Sequence, residues 1–283
     1  MAVSLSEHKG QWFVVKVGGE LAKDRQKLAN TVGRAVKAFI EAGVKVCVVH
    51  GGGPQATELQ KRLGLETQQV GGRRITDAAT LEVMKMSVAG QVSVDVASAF
   101  ALARVPAVCT TGVSAGLVEA KKRPPMVVSG GPPTPVDFGL VGDVVGINVP
   151  MLEKLALAGA VPVLGSLGAD ADGNAFNINA DTVAVQVAKA LSARKLLLVS
   201  NVPGVLADKN DPLTRIPRLT PQLAREKIQS GAIVGGMIPK VEESLAILGE
   251  GIGAVHIVGL DPETAILDEA ANPGSRGTVF VGA

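Results

Sequence analysis

Two lysines stand where a charge needs a reason. Lys16 interrupts the apolar run Phe13-Val-Val-Lys-Val17, two residues before Gly18-Gly19. A cation inside a buried strand requires an ion partner or a ligand, unless it lies at the strand end and reaches water. Lys240 directly follows Gly235-Gly-Met-Ile-Pro239. Glycines at strand-to-helix turns let a ligand approach backbone N–H groups, and the next helix N-terminus adds positive potential, so such turns hold anions. The chain carries four of them: Gly18-Gly19, Gly51 to Gly53, Gly71-Gly72 and Gly235-Gly236. One alone says little, because turns use glycine anyway. Two with a lysine beside them point toward phosphate chemistry.

Three other motifs suggest different chemistry. Gly51-Gly-Gly-Pro-Gln-Ala56 fits the dinucleotide pattern G-x-G-x-x-A after a strand, but it falls in the second strand-to-helix turn and no acidic residue follows at the expected distance. Gly112-Val-Ser114-Ala-Gly116 fits the nucleophile elbow of a hydrolase, with His50-Gly-Gly-Gly53 as an oxyanion loop and His256 as a base. An elbow must lead into a helix, whereas Leu117 to Arg123 runs into Pro124-Pro125, and His256 sits mid-strand. A Walker-type G-x-x-x-x-G-K-[ST] run is absent from the sequence.

The elements that must position these residues alternate between strand and helix. Strands are expected at 12–17, 44–49, 105–109, 161–164, 195–200, 254–258 and 278–281. Helices are expected at 24–42, 54–63, 76–104 with a break near Gly90, 151–158, 181–193, 221–230, 239–248 and 262–271. In the first of these helical spans Leu28, Val32, Ala35, Val36 and Phe39 recur at helical spacing. The region 112–148 has short β-like pieces and Gly-Pro turns, and is expected to form an antiparallel hairpin excursion. The alternation predicts a mostly parallel sheet with helices on both faces.

Composition narrows the function. Hydrophobic residues reach 47% while aromatics are only 2%, the signature of Val- and Leu-rich parallel strands buried on both faces. The longest apolar stretch, near 155–169, contains Gly159, Pro162 and Gly165 and falls short of the ~20 residues a spanning helix needs. With no signal-like N-terminus, the expected location is the cytoplasm. Basic and acidic residues number 28 and 26 and are interspersed, which with so few aromatics excludes a nucleic-acid partner. Cys47 and Cys109 lie in apolar runs and read as core thiols; no Cys/His cluster suggests a metal site.

Taken in order, six motifs resemble the amino-acid kinase family, and within it the branch acting on N-acetylglutamate. They are Lys16-Val-Gly-Gly19, His50-Gly-Gly-Gly-Pro54, Gly72-Arg-Arg74-Ile-Thr76, Asn177-Ile-Asn-Ala-Asp181, Ser200-Asn-Val-Pro-Gly204 and Gly236-Met-Ile-Pro-Lys240. The resemblance implies an α/β fold, a three-layer αβα sandwich around an open, mostly parallel sheet. It implies an N-terminal lobe for the amino-acid substrate, residues 1–192, and a C-terminal nucleotide lobe, residues 193–283. The implied reaction transfers phosphate from ATP, with Mg²⁺, to the side-chain carboxylate of N-acetylglutamate, in arginine biosynthesis. Carried over by position, Lys16 and Lys240 contact the phosphates and Asp181 orients both lysines. Gly18, Gly19, Gly51 and Gly52 line the transfer site, Arg74 pairs with the substrate α-carboxylate, and Asn177 touches the substrate. Ser200, Asn201, Gly204 and Val205 lie along the nucleotide.

The chemistry agrees with that assignment. A carboxylate acceptor is already ionised at neutral pH, so transfer needs positioning and charge stabilisation rather than a base. Lysine suits a moving phosphoryl group and arginine a static carboxylate. Structural uses stay open: Asp181 as the N-cap of the following helix, Asn177 and Asn179 as turn residues, and one of Arg73 and Arg74 as merely solvated. Only 15 residues precede Lys16, and His256-Ile-Val-Gly-Leu-Asp261 departs from the run carried by arginine-regulated members. The expectation is therefore a homodimer insensitive to arginine. The stretch 121–137, rich in Lys, Arg and Pro, is a candidate substrate lid. Alternatives are a sister kinase acting on acetylaminoadipate, a non-catalytic module of the same fold, and an esterase built on Ser114.

Overall fold

The computed structural model describes residues 5–128, 130–208, 210–234, 237–248 and 250–282, with the side chains of Pro239, Lys240 and Glu243 outside that description. In chain order the strands are β1 (Trp12–Val17), β2 (Lys45–His50), β3 (Gln69–Val70), β4 (Arg73–Arg74), β5 (Ala107–Thr111), β6 (Val118–Lys122) and β7 (Gly142–Ile147). There follow β8 (Val161–Gly165), β9 (Leu167–Ala169), β10 (Ala175–Asn177), β11 (Lys195–Val199), β12 (Arg218–Leu219), β13 (Val255–Val258) and β14 (Thr278–Phe280). The α-helices are α1 (Arg25–Leu28), α2 (Arg34–Glu41), α3 (Gly53–Arg62), α4 (Ala78–Met84), α5 (Ser93–Leu102), α6 (Val149–Leu157), α7 (Ala180–Ala190), α8 (Pro221–Gln229), α9 (Met237–Leu248) and α10 (Ala265–Ala271).

Eight strands form the central sheet in the order β12-β14-β13-β11-β1-β2-β8-β5. All pairs are parallel except β13 with β14. The near-continuous burial of β1, β8, β11 and β13 follows from covering both faces, which is what the apolar composition required. Side chains alternate between two cores. Phe13, Val15 and Val17 join a cluster with Val36 and Phe39 of α2 and Val96 and Phe100 of α5. There Phe13 meets Phe39 edge-on, with ring centroids 5.2 Å apart. Val14 joins the opposite cluster, against Val183, Ala184 and Val187 of α7. Lys16 shares the face of Val14, so the pleat itself aims it toward α7.

The expected architecture is what the structure has, with three adjustments. The helix over 76–104 is not broken near Gly90. It runs from α4 into α5 through a π-helical stretch, Lys85–Val92, which absorbs the irregularity while Gly90 stays exposed. β5 starts two residues later than expected, because the Val105 N–H still closes the end of α5 on Phe100 O. Within the region 112–148, β6 and β7 pair antiparallel as expected, but they belong to a four-stranded sheet, β10-β9-β6-β7. The two cysteines are unpaired; Cys47 is buried, whereas Cys109 is only half-buried on the edge strand β5.

Candidate active site

Lys16 sits near the C-terminal end of β1, flanked in register by Val49 of β2 and Leu198 of β11. Its Nζ lies 2.8 Å from Asp181 Oδ1, with the two side chains 13% and 24% exposed. The cation in the apolar run is thus partnered rather than solvated. Asp181 occupies the first turn of α7, where the helix dipole favours a carboxylate. It is not the N-cap. That role falls to Asn179, whose Oδ1 accepts the Asp181 N–H at 2.7 Å, leaving the aspartate free to face Lys16.

The first two glycine turns pack backbone against backbone. A Cβ on Gly19 would come within 2.7 Å of Gln55 Oε1 and 3.2 Å of Gly52 Cα, so only glycine permits the approach. Gln55 Nε2 donates to Gly19 O at 2.7 Å and ties the turns together. Gly18 O accepts the Leu21 N–H, which leaves the Gly19 N–H pointing the opposite way along its peptide. Gly51 donates to Val17 O at 3.4 Å, so its N–H belongs to the sheet edge.

Arg74 on β4 is laid against α3. Its guanidinium donates to Gln60 Oε1, to Gly53 O at 3.1 Å and to Thr57 Oγ1 at 2.7 Å. Burial pulls its pKa below the usual guanidinium value, but from so high a start that the charge stays. Arg73 donates to the Gly71 carbonyl at 3.5 Å. Asn177, nearly buried, donates from Nδ2 to the Thr76 hydroxyl at 3.1 Å. This fixes the amide orientation rather than making a turn.

Lys16, Gly18, Gly19, Gly51, Gly52, Arg74 and Asn177 all line one cleft of about 740 Å³. The sequence did not single out three further residues on its wall. Arg123 is held by Asp143 at 2.7 Å, and Met126 and Phe138 contribute apolar surface. All three come from the connection between β6 and β7, and the basic, Pro-rich composition of 121–137 was the available signal.

Ser200, Asn201, Gly204 and Val205 lie beyond β11 and do not line this cleft. Val205 is fully buried, its N–H donates to Thr278 Oγ1 at 2.8 Å, and its carbonyl accepts the Ile216 N–H. It therefore shapes that segment from inside. Gly235 and Gly236 lie outside the described residues. Lys240 falls in α9, its side chain likewise outside them.

The hydrolase constellation does not assemble. Ser114 is exposed on a 3-10 turn, Ser114–Gly116, that leads into strand β6. His256 is buried in the central sheet with its Nδ1 2.8 Å from Glu269 Oε1. Burial lowers the imidazole below its ordinary pKa, against the pull of Glu269.

An open, mostly parallel sheet, glycine turns at its strand ends and a lysine–aspartate pair between them define a class. Residues 11–259 match the model of the Amino acid kinase family, and the chain belongs to that family. Among its relatives, the acetylglutamate kinase of Sorangium cellulosum (strain So ce56) is 51% identical over 269 residues, covering 95% of this chain and 94% of that protein. The acetylglutamate kinase of Anaeromyxobacter sp. (strain Fw109-5) is 49% identical over 270 residues, 95% and 99% of the two chains. Among solved structures, N-acetylglutamate synthase from Neisseria gonorrhoeae, complexed with coenzyme A and N-acetyl-glutamate, superposes with a TM-score of 0.80 at 21% identity. That match covers 98% of this chain and 61% of the synthase, and shows the fold alone.

Proposed function

We propose that this protein is an ATP-dependent kinase that phosphorylates the side-chain carboxylate of N-acetylglutamate, giving N-acetylglutamyl 5-phosphate for arginine biosynthesis. The observation that carries it is one cleft uniting Lys16, the two packed glycine turns and Arg74. Relatives at about half identity over 95% of the chain support the same acceptor. Arg74 holds the α-carboxylate of the acceptor and Asn177 its polar backbone atoms. The γ-carboxylate then points toward Lys16 and the Gly19 and Gly52 N–H groups. It attacks as the ionised species, and Lys16 neutralises the charge spread over the transferring phosphoryl oxygens. Asp181 keeps Lys16 in place.

The central sheet divides evenly between residues 1–192 (β1, β2, β5, β8) and 193–283 (β11 to β14), which supports an acceptor lobe and a nucleotide lobe meeting at the β1/β11 pair. Ser200, Asn201 and Gly204 belong to the nucleotide side, and Lys240 supplies the second phosphate-facing charge from α9. Mg²⁺ would enter on the ATP phosphates, the usual way this ion is held in kinases. Two unpaired cysteines suit the cytoplasm. A homodimer fits the open edge strand β5, where Val108 and the nearby Val94 and Leu102 of α5 are exposed.

Incubation with ATP, Mg²⁺ and N-acetylglutamate should yield an acyl phosphate that hydroxylamine traps as the hydroxamate. Product formed only from the homologue one methylene longer would transfer the assignment to acetylaminoadipate. Arg74→Lys should raise the KM for the acceptor by roughly 10- to 100-fold, the value of a charge-assisted bidentate pair, with little change in kcat. An unchanged KM would remove Arg74 from carboxylate recognition.

A further inference from the structure

Gln60 is a polar side chain on α3 that is only 1% exposed. A buried amide is costly unless its donors and acceptor are met, and here four neighbours meet them. Nε2 donates to Thr80 Oγ1 at 3.2 Å and to the Glu66 carbonyl at 3.5 Å. Oε1 accepts from the Thr67 hydroxyl at 2.9 Å and from Arg74 Nη1. Only one orientation of the amide serves this set. The Glu66 carbonyl can only accept and the guanidinium can only donate, so Nε2 faces the first and Oε1 the second.

The network ties α3 to α4 through Thr80 and to β4 through Arg74. Thr57, one turn before Gln60 on α3, accepts from Arg74 Nη2 at 2.7 Å, and Gly53 O accepts from the same nitrogen at 3.1 Å. All three acceptors around the guanidinium are neutral. Lys16 and Arg123, on the same cleft, are held differently, by Asp181 at 2.8 Å and by Asp143 at 2.7 Å. Among the described residues no carboxylate pairs with Arg74, and burial is what shifts its pKa.

The difference has a consequence for recognition. A neutral oxygen fixes the direction of a guanidinium and leaves its charge for a ligand. A carboxylate in the same place would fix the direction and cancel much of the charge that attracts an anion. Arg74 and Thr57 line the cleft, whereas Gln60 does not, so the amide acts only through the arginine.

We propose that Gln60, together with Thr57, is a positioning residue that holds Arg74 through neutral oxygens and thereby sets the preference for an acceptor with a free α-carboxylate. This rests on the reading of Arg74 as the grip on that carboxylate, given above.

The test compares N-acetylglutamate with its α-amide, which keeps the γ-carboxylate to be phosphorylated and lacks the charge that Arg74 would hold. In the hydroxamate assay, wild type should favour the acid in kcat/KM by about 10- to 100-fold, the value of hydrogen bonding to a charged group. Gln60→Glu is nearly isosteric and sets a carboxylate on Arg74. It should raise the KM for the acid by about 10-fold or more, with the KM for the amide and both kcat values within about threefold of wild type. A role confined to stability would move the two substrates together. Thr57→Val, at an exposed position, removes another neutral acceptor and should lower the acid-to-amide ratio by about threefold or more. An unchanged ratio in Gln60→Glu, or in Thr57→Val should Gln60→Glu not fold, overturns the proposal. With a wild type that prefers the acid, that result counts against this role of α3 alone. A wild type that takes acid and amide equally removes Arg74 from carboxylate recognition, and this proposal with it. A wild type that phosphorylates neither counts against the proposed function itself.

Discussion

Lys16→Met lowers kcat by at least ~100-fold, the usual cost of removing one preorganised transition-state donor. Three features set the size. The side chain is only 13% exposed, so its charge is screened little by water. Its position is fixed from below by the β1 pleat and from the side by Asp181, so no reorganisation is needed as charge develops. And its removal leaves the Asp181 carboxylate uncompensated beside an incoming anion. Met fills the volume and continues the apolar strand, so the melting temperature should move by only a few degrees. Asp181→Asn should cost less, because it removes the orientation of the charge and not the charge. The double variant should lose little more than Lys16→Met alone, as expected for groups that act as a unit. Steady-state kinetics with the acyl-phosphate readout checks this, and a kcat within tenfold of wild type would show that another group carries the phosphoryl charge.

Glu269→Ala destabilises the fold by about 3–5 kcal/mol, the range for breaking a buried polar pair from one side. Glu269 is wholly buried in α10. Its Oε1 accepts from His256 Nδ1 at 2.8 Å and Gly274 N at 2.7 Å, and its Oε2 from Arg276 N at 3.0 Å and Gly277 N at 2.7 Å. Alanine would strand four donors and open a cavity under the turn between α10 and β14. For a chain of this size the loss reads as a fall in Tm on the order of 10 °C. Glu269→Gln keeps one acceptor oxygen and should fall between. Burial pushes the Glu269 carboxyl up, but the bonds from His256, Gly274 and Arg276 outweigh it and hold the pKa below the ordinary carboxylate value. The sign follows from linkage: the contribution is full above the unfolded-state pKa and is lost as pH falls through the lower folded one. Urea titration of wild type and both variants at neutral and acidic pH tests both statements. A Glu269→Ala variant as stable as wild type would mean the turn finds other acceptors.

Some of this was readable from residue types alone. A lysine in an apolar strand is costly enough to demand a partner, and glycine pairs at strand ends have few uses, so Lys16 and the turns at 18–19 and 51–53 stood out. Asp181 did not resolve, because a helix-capping aspartate and an ion-pairing one look the same in sequence. The choice was made by Asn179, whose short side chain takes the cap. Arg123 and Asp143 escaped notice because their pairing depends on the β6–β7 register, a relation between residues far apart in the chain. The π-helical stretch left no trace, since one extra residue per turn barely alters a helical apolar pattern.

The seam of the sheet has a kinetic side. β1 pairs with β2 soon after both are made, but its other edge waits for β11, roughly 180 residues later. At about 5–20 residues per second, that edge stays open for about 10–40 s during synthesis. Trp12-Phe-Val-Val-Lys-Val17 is an apolar, β-prone run of the kind that recruits neighbouring chains when left unpaired. Lys16 is its only charge. Before it ever meets Asp181, this cleft-lining residue guards the nascent strand against adding to the wrong sheet.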